Sequence, residues 1–212
     1  ENLFSGMLLI FVNNEFWTKL VGRFNAFNIL TVIAVSKILE LHTTSVLKKI
    51  SKMDNVNGRF QIFNSKKSIK VIIDYAHTPI ALENVLNTIN EIRTKNENII
   101  TVIGCGGNRD KKKRPIIGKK AALLSDKVIL TSDNPRNENP KKIIEDMIKG
   151  VSPSDFKKII KVTDREKAIM ESKKISQPGD IILIAGKGHE NYQEIKGKRN
   201  HFDDYEIVKK YF

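Results

Sequence analysis

Residues 68–93 read SIKVIIDYAHTPIALENVLNTINEIR, in which a short apolar run is followed directly by a longer segment. The run 68–75 is rich in Val and Ile, which predicts a strand buried on both faces. The segment 81–93 has the periodicity of a helix. A strand followed by a helix is half of the repeating unit from which parallel sheets are built.

The same unit recurs toward the C-terminus. Further strands are predicted at 98–104, 127–132, 158–163 and 180–186, and further helices at 118–125, 140–150, 165–175 and 203–212. Residues 187–202, between the last strand and the last helix, are predicted to form a loop. The repetition predicts an α/β fold with a parallel, doubly wound sheet and helices on both faces.

Toward the N-terminus, a strand is predicted at 59–63, and the polar turn MDNVNG at 53–58 predicts a domain boundary. The preceding segment is predicted to hold strands at 7–13 and 16–22 and helices at 25–41 and 43–53, the second opened by a Thr cap. The first residue is Glu rather than Met, so we do not expect it to be the natural start.

Composition excludes several classes of protein. A single cysteine, Cys105, rules out a disulfide framework and a zinc finger, and it fits a reducing, cytoplasmic setting. No apolar run approaches the roughly 20 residues of a membrane span, and the first residues lack the basic region of a signal peptide. We therefore predict a soluble protein that does not bind membranes.

The formal net charge of +13 is spread along the chain rather than clustered. Lysines account for 29 of the 37 basic residues, scattered among many Asn and Ile. Nucleic-acid readers carry clustered arginines, aromatic platforms or a recognisable module, and this sequence shows none of these patterns. We predict no nucleic-acid binding, whereas a positive field would attract nucleotides and carboxylates.

Polar clusters follow four of the predicted strands, at 74–79, 104–115, 132–136 and 186–190. Each alone has a structural explanation, because Pro can start a helix and Gly or Asp-Asn-Pro can form a turn. In parallel sheets, however, ligands bind at the carboxyl ends of the strands. Four clusters at one edge favour a ligand cleft.

Familiar cofactor motifs are missing from these clusters. GCGGNR lacks the third Gly of the dinucleotide fingerprint, and no G-x-x-x-x-G-K-[ST] phosphate loop occurs. Gln193 stands where a zinc helix would place its second His, so His189 is predicted to be a hydrogen-bonding loop residue and not a metal ligand.

Five of the eight arginines lie in candidate motifs: Arg23, Arg59, Arg109, Arg114 and Arg136. The planar guanidinium group of Arg109 or Arg136 can hold a carboxylate with two parallel hydrogen bonds. Glu190 would supply the opposite charge for an ammonium group. Together they predict a pocket for an amino acid. The alternative for Arg136 is an ion pair with a surface acid such as Glu138.

The motifs GRFNAFN, VIIDYAHTP, VIGCGGNRDKKKRP, TSDNPRNENP and IAGKGHENYQ, with a second GRF and a final FDDYE, resemble the C-terminal part of the Mur ligase family. Within the family they are most similar to its MurE branch, and the resemblance covers essentially the whole chain. It implies that 1–57 end a central ATP-binding domain and that 58–212 form a Rossmann-like, mostly parallel C-terminal domain. The phosphate loop, the Mg²⁺ ligands and a carbamylated lysine would lie upstream of Glu1, leaving no catalytic residue here.

The resemblance implies an ATP-dependent ligase of peptidoglycan precursor synthesis, acting in the cytoplasm as a monomer on small molecules. Such enzymes activate UDP-MurNAc-L-Ala-D-Glu as an acyl phosphate, which the amine of meso-diaminopimelate attacks. Two alternatives remain open: a binding module without catalysis, from a truncated or decayed gene, and a lysine-adding relative. DNPR together with GKGHE disfavours a folylpolyglutamate synthetase.

The resemblance also implies two sets of site residues. The residues implied for meso-diaminopimelate are Arg109, Asp133, Asn134, Pro135, Arg136, Gly186 and Glu190. The residues implied for ATP are Asn25 and Asn28 at the adenine, Arg59 at the phosphates, Asp74 at the ribose and His77 nearby. The alternatives are a helix cap for Asn25 and a surface position for Arg59. The chain departs from the family pattern at Ile80, Asn108, Lys112 and Asn139.

Overall fold

The computed structural model of the protein describes residues 2–212, and the chain divides into two compact units, the first ending at Val56 and the second running Asn57–Phe212. No helix within the described residues has both the length and the hydropathy that crossing a bilayer requires.

The first unit contains a small antiparallel sheet and two helices. Its elements are β1 (Asn2–Leu3), β2 (Gly6–Phe11), β3 (Asn14–Thr18), α1 (Arg23–Ile38) and α2 (Thr43–Lys52). Met7, Phe16, Ile29, Ile33 and Leu47 form much of its core. The strand predicted at 16–22 corresponds to β3, which begins at Asn14 and ends at Thr18. The predicted Thr cap of α2 is wrong, because His42 is the N-cap residue and makes no side-chain capping bond.

The second unit contains alternating strands and helices, as the repeating pattern predicts. They are β4 (Gln61–Asn64), β5 (Lys70–Asp74), α3 (Pro79–Ile92), β6 (Ile99–Cys105), α4 (Lys113–Leu124), β7 (Lys127–Ser132), α5 (Pro140–Ile148), a 3₁₀ helix (Pro153–Lys158), β8 (Ile159–Lys161), α6 (Arg165–Ile175), β9 (Ile181–Ala185), β10 (Tyr192–Ile195), β11 (Lys198–His201) and α7 (Asp204–Tyr211).

Six strands form one sheet in the order β4-β5-β9-β6-β7-β8. All neighbours pair in parallel except β4, which pairs antiparallel with β5 at the edge. The predicted mostly parallel α/β sheet is confirmed.

The two faces of the sheet are covered by different helices. Val71 and Ile73 of β5 pack in one core cluster with Ala168 of α6 and Val208 of α7. Because side chains alternate along a strand, Ile72 points to the other face, where α3, α4 and α5 follow one another. Strands buried on both faces explain why the sequence shows continuous apolar runs rather than alternation.

Side-chain caps begin four of the described helices, and three of these follow strands of the six-stranded sheet. Thr78 accepts a hydrogen bond from the Ala81 N–H (3.2 Å) at the start of α3, and Pro79 follows it as the first helical residue. Asn139 and Asp164 cap α5 and α6 in the same way. Short connections therefore place the polar clusters together at the carboxyl edge of the sheet.

The loop predicted at 187–202 contains the hairpin β10–β11, so the prediction is wrong for these residues. Its two-residue turn is formed by Lys196 and Gly197, with φ of 49° and 76°. Two successive positive φ values are typical of the tight turns that join antiparallel strands, and Gly adopts them without steric cost.

Candidate functional site

A cavity of about 320 Å³ lies at the carboxyl ends of β5, β6, β7 and β9. Its walls include six of the seven side chains or glycines implied for the amino-acid pocket: Arg109, Asp133, Asn134, Arg136, Gly186 and Glu190. Pro135 is not among the lining residues, and its carbonyl accepts a hydrogen bond from the Glu138 N–H (3.0 Å). The four clusters thus converge on one space.

Glycines after β6 allow two loops to approach each other closely. A Cβ on Gly107 would lie 2.0 Å from the carbonyl oxygen of Pro135, which is too close for any other residue. The Gly107 N–H also donates to the Asn134 carbonyl (2.8 Å). The loop that carries Arg109 is therefore held directly against the Asp133–Arg136 segment.

The Asp133–Arg136 segment is joined to β10 by several hydrogen bonds. The Asn134 side-chain oxygen accepts from the Glu194 N–H (2.9 Å), and the Arg136 N–H donates to the Glu194 carbonyl (3.0 Å). The side-chain amide of Gln193 donates to the Asp133 carbonyl (2.7 Å). The unpredicted hairpin therefore forms the outer support of the site.

Arg136 has a constrained backbone and a guanidinium group held from two sides. Its φ is 49°, its Nε lies 3.3 Å from Glu194 Oε2, and its Nη1 donates to the Gly107 carbonyl (2.9 Å). The side chain keeps 19% of its exposure and lines the cavity. The alternative of an ion pair with an acidic side chain is met in part, because Arg136 pairs with Glu194 and not with Glu138.

Glu138 instead pairs with Arg114 of α4, whose side chain is 1% exposed. Both carboxylate oxygens of Glu138 accept from this guanidinium group at 2.9 Å, and Asp146 of α5 accepts at 3.1 Å. The hydrogen bonds from Arg114 lower the pKa of Glu138 to about 2. Arg114 is therefore a structural residue that joins α4 to the loop and to α5.

The two carboxylate oxygens of Glu190 have different partners. Oε2 accepts from the Asn134 side-chain amide (2.9 Å) and lies 3.3 Å from Lys187 Nζ, whereas Oε1 is 3.5 Å from the Tyr75 hydroxyl. Burial and the charge of Glu190 raise the pKa of Tyr75. On another wall, Arg109 is exposed, and no hydrogen bond or ion pair engages it within residues 2–212. The cavity therefore offers the Glu190 carboxylate and, within the described residues, the free guanidinium group of Arg109.

The cavity contains no reactive thiol. Burial raises the pKa of the Cys105 thiol to about 12, so it stays protonated near neutral pH and is a poor nucleophile. Within the described residues, no group of three or more His, Cys, Asp or Glu side chains is arranged to hold a metal ion.

Three of the residues implied for ATP lie in the second unit, near Tyr75. The guanidinium carbon of Arg59, an exposed residue, is 4.8 Å from the centre of the Tyr75 ring, and the His77 ring is 4.6 Å from it. The two carboxylate oxygens of Asp74 accept from the Phe60 and Ala76 N–H groups (2.7 and 2.8 Å). Burial raises the pKa of Asp74, and these bonds oppose the rise.

Asn25 and Asn28 lie in the first unit, on α1. The Asn25 side-chain amide donates to the Val21 carbonyl (2.8 Å), and its oxygen accepts from Asn28 (3.1 Å). The alternative of a helix cap for Asn25 is wrong, because Gly22 is the N-cap residue of α1.

Comparison with known proteins gives the family. The family model described as Mur ligase, glutamate ligase domain matches residues 58–188, which are more than half of the chain. The chain belongs to the Mur ligase family. The predicted family is thereby confirmed.

Two curated relatives carry the name of the same ligase. The chain is 50% identical over 212 residues to the UDP-N-acetylmuramoyl-L-alanyl-D-glutamate–2,6-diaminopimelate ligase of Bacteroides thetaiotaomicron, and 52% identical over 193 residues to that of Cytophaga hutchinsonii. These alignments cover 100% and 91% of this chain. A solved structure of a ligase with the same name superimposes with a TM-score of 0.71 at 35% identity, covering 99% of this chain and 43% of the other.

This Mur ligase chain spans less than half the length of the curated relatives it matches, 44% for the Bacteroides thetaiotaomicron protein and 40% for that of Cytophaga hutchinsonii.

Among the residues that contact those implied for the amino acid, Lys187 and Glu194 were missed from the sequence. Lys187 is fully buried among Asp133, Asn134 and Glu190, and Glu194 pairs with Arg136. Lys187 stands inside the GKGHE motif, and its place between two glycines at a strand end was an available signal. Glu194 carried none, because it lay in a segment predicted to be a loop.

Proposed function

We propose that this chain is the C-terminal portion of a ligase that joins meso-diaminopimelate to UDP-MurNAc-L-Ala-D-Glu in peptidoglycan precursor synthesis. The observation that carries the proposal is the charge arrangement of the cavity, with Arg109 and Arg136 on its walls together with the carboxylate of Glu190. Meso-diaminopimelate has one ammonium and one carboxylate group at each end, and it is therefore complementary to both kinds of charge.

Different side chains bind the ammonium and carboxylate groups of the ligand. Glu190 Oε1 receives an ammonium group, and the guanidinium groups of Arg109 and Arg136 hold carboxylates. Meso-diaminopimelate differs from lysine by a second carboxylate, which gives Arg136 a ligand that lysine lacks. Asp133, Asn134, Pro135 and Gly186 shape the segments on which these groups are mounted.

The proposed reaction requires UDP-MurNAc-L-Ala-D-Glu to be activated by groups outside this chain. ATP transfers a phosphoryl group to the terminal carboxylate of UDP-MurNAc-L-Ala-D-Glu, and the amine of the bound amino acid then displaces phosphate to form the amide. The contribution of this chain is to orient that amine, which is a matter of positioning. The exposed guanidinium group of Arg59 suits an ATP phosphate, whereas Asp74, with both oxygens bonded to backbone, offers a ribose only its remaining lone pairs.

Asn25, Asn28 and His77 are proposed as the remaining ATP contacts, on the resemblance. We propose that the phosphate loop, the Mg²⁺ ligands and the catalytic groups belong to a part of the protein upstream of Glu1, and that this chain alone has no turnover. We also propose that the enzyme works in the cytoplasm as a monomer, with small molecules as its substrates.

Calorimetric titration of the chain with meso-diaminopimelate and with L-lysine tests the proposal. Tighter binding of meso-diaminopimelate, by about tenfold or more, is expected because one charge-assisted bidentate pair is added. Equal affinity for the two amino acids would favour a lysine-adding relative.

The second candidate, a binding module without catalysis, is favoured by the absence of a phosphate-loop motif from the sequence. An ATPase assay with both substrates separates the two. Turnover by these 212 residues would exclude the module, and restoration of turnover only after the upstream part is supplied would support the ligase.

A further inference from the structure

Lys187 is a charged side chain with no exposure to solvent, and the proposed function gives it no role. Its Nζ lies 3.3 Å from Asn134 Oδ1, 3.3 Å from Glu190 Oε2 and 3.5 Å from Asp133 Oδ1. The ring of Tyr192 covers it, with the centroid 5.5 Å away. One ammonium group thus contacts three of the residues that line the amino-acid cavity.

The backbone around Lys187 is built to turn this side chain inward. Gly186 and Gly188, on either side, have φ values of 112° and 53°, which L side chains rarely adopt. A Cβ on Gly188 would lie 2.6 Å from the Cβ of Tyr75, so the loop can pack this closely only with glycine. An ordinary loop lysine would extend into solvent, because a hydrated ammonium group is costly to bury.

We propose that Lys187 is a positioning residue of the amino-acid cavity. Its ammonium group joins the segment after β7 to the segment after β9 and fixes Oε2 of Glu190, which leaves Oε1 for the ammonium group of the ligand. The proposal deepens the proposed function and rests on it.

Charge compensation gives the physical reason. Asp133 and Glu190 place two carboxylates beside one another in a mostly buried site, with side-chain exposures of 10% and 21%. Lys187 lies between them and offsets their repulsion, and the three groups satisfy one another at hydrogen-bonding distance. Removing the cation would leave two neighbouring carboxylates without the ammonium group that contacts both, so that Glu190 could turn away from its present position.

Lys187 acts through other residues and does not meet the ligand. Its side chain has no accessible surface, and it is not among the residues that line the cavity. A loss of ammonium recognition is therefore the expected consequence of its removal, and carboxylate recognition by Arg109 and Arg136 should remain.

The experiment compares Lys187→Met with the unsubstituted chain. Met retains much of the volume and removes the charge. The matched control is Lys158→Met, because Lys158 also donates from Nζ to a carbonyl, that of Ala122 (3.0 Å), and lies outside the cavity. Binding of meso-diaminopimelate is measured by calorimetry. Binding of pimelate, which has the same carbon chain and both carboxylates but no amino groups, is measured by ligand-observed NMR at millimolar concentration.

Lys187→Met is expected to weaken meso-diaminopimelate binding by about 10- to 100-fold, as expected for loss of a partner in a buried charged network. Pimelate binding should change by less than about twofold, and Lys158→Met should change neither. Unaltered meso-diaminopimelate binding in Lys187→Met would overturn the proposal. Equal losses for both ligands would also overturn it, because they would show a collapsed cavity and not a lost ammonium contact.

A readout without ligand separates this proposal from the proposed function. If the unsubstituted chain binds no meso-diaminopimelate, the proposed function fails, and Lys187 is then judged by the side-chain amide NMR signals of Asn134. These signals should shift in Lys187→Met and not in Lys158→Met. Unchanged signals would contradict the positioning role.

Discussion

Arg136 shows how one side chain can be both structural and available to a ligand. Its Nε faces Glu194 and its Nη1 is bonded to the Gly107 carbonyl, while Nη2 makes no hydrogen bond within residues 2–212. Lysine has a single donor group and could not make these contacts while keeping another nitrogen for a carboxylate. In a chain with 29 lysines, this geometry explains why arginine occupies the position.

Glu194→Gln tests whether the orientation of Arg136 depends on its acidic partner. Loss of the ion pair should weaken meso-diaminopimelate binding by about 2- to 5-fold and leave lysine binding unchanged, because partly exposed pairs contribute about 1 kcal/mol or less. Calorimetry with both amino acids measures the two effects. Glu171→Gln, which alters an exposed pair with Lys174, is the control. Equal weakening of both ligands would show that Glu194 supports the loop and not the guanidinium group.

At the scale of single residues, the sequence predicted which side chains at the strand ends could bind a ligand. Arg and Glu at the end of a strand indicate charged contacts with a ligand. Arg109, Arg136 and Glu190 could be assigned to one cavity on this ground, whereas Asp133, Asn134 and Gly186 followed from the resemblance to the Mur ligase family. Lys187 and Glu194 could not, because their partners in the Asp133–Arg136 segment lie 53 to 60 residues away in the sequence and depend on how the loops fold together.

At the scale of elements, α4, α5 and the loop between β7 and α5 are joined through one buried guanidinium group. Arg114 contributes it, and Glu138 and Asp146 accept from it. This network holds Glu138, whose N–H donates to the Pro135 carbonyl, and so supports the Asp133–Arg136 segment. The site thus depends on contacts between elements that do not touch the ligand.

The stability provided by Glu138 should depend on pH. Its pKa falls from an ordinary value of 4.5 to about 2, so its contribution is complete above about pH 4.5 and is lost as pH falls through 2. Glu138→Gln should therefore lower the free energy of unfolding by about 1–3 kcal/mol at pH 7. The difference from the unsubstituted chain should shrink between pH 4.5 and 2.

Urea unfolding at several pH values measures this difference. A gap between the two chains that stays constant down to pH 2 would show that packing, and not the Arg114 pair, accounts for the role of Glu138.

The elements that the sequence predicted best are the strands with continuous apolar runs. Continuous Val and Ile runs gave β5, β6, β7 and β9, whereas the predicted start of α3 at residue 81 lies two residues after its first residue, Pro79. The hairpin β10–β11 was missed because β11 has only exposed residues, so no apolar pattern marks it. The Lys196–Gly197 turn was its one local signal.

At the scale of the whole molecule, every residue that lines the cavity comes from the second unit, between Tyr75 and Glu190. The second unit also has its own core on both faces of the sheet. The capacity to bind the amino acid should therefore be a property of this unit.

A chain of residues 57–212 is expected to fold and to bind meso-diaminopimelate within about threefold of the affinity of the 212-residue chain. Circular dichroism and calorimetry check folding and binding separately. A folded 57–212 chain with much weaker binding would show that residues before 57 contribute to the site.

The most direct test of the proposed function is a cycle of four affinities: the unsubstituted chain and Arg136→Ala, each titrated with meso-diaminopimelate and with L-lysine. Loss of a charge-assisted carboxylate contact is expected to weaken meso-diaminopimelate binding by about 2–5 kcal/mol and to change lysine binding by less than about 0.5 kcal/mol. Equal changes for the two amino acids, or none for either, would contradict the assignment of Arg136 to the second carboxylate.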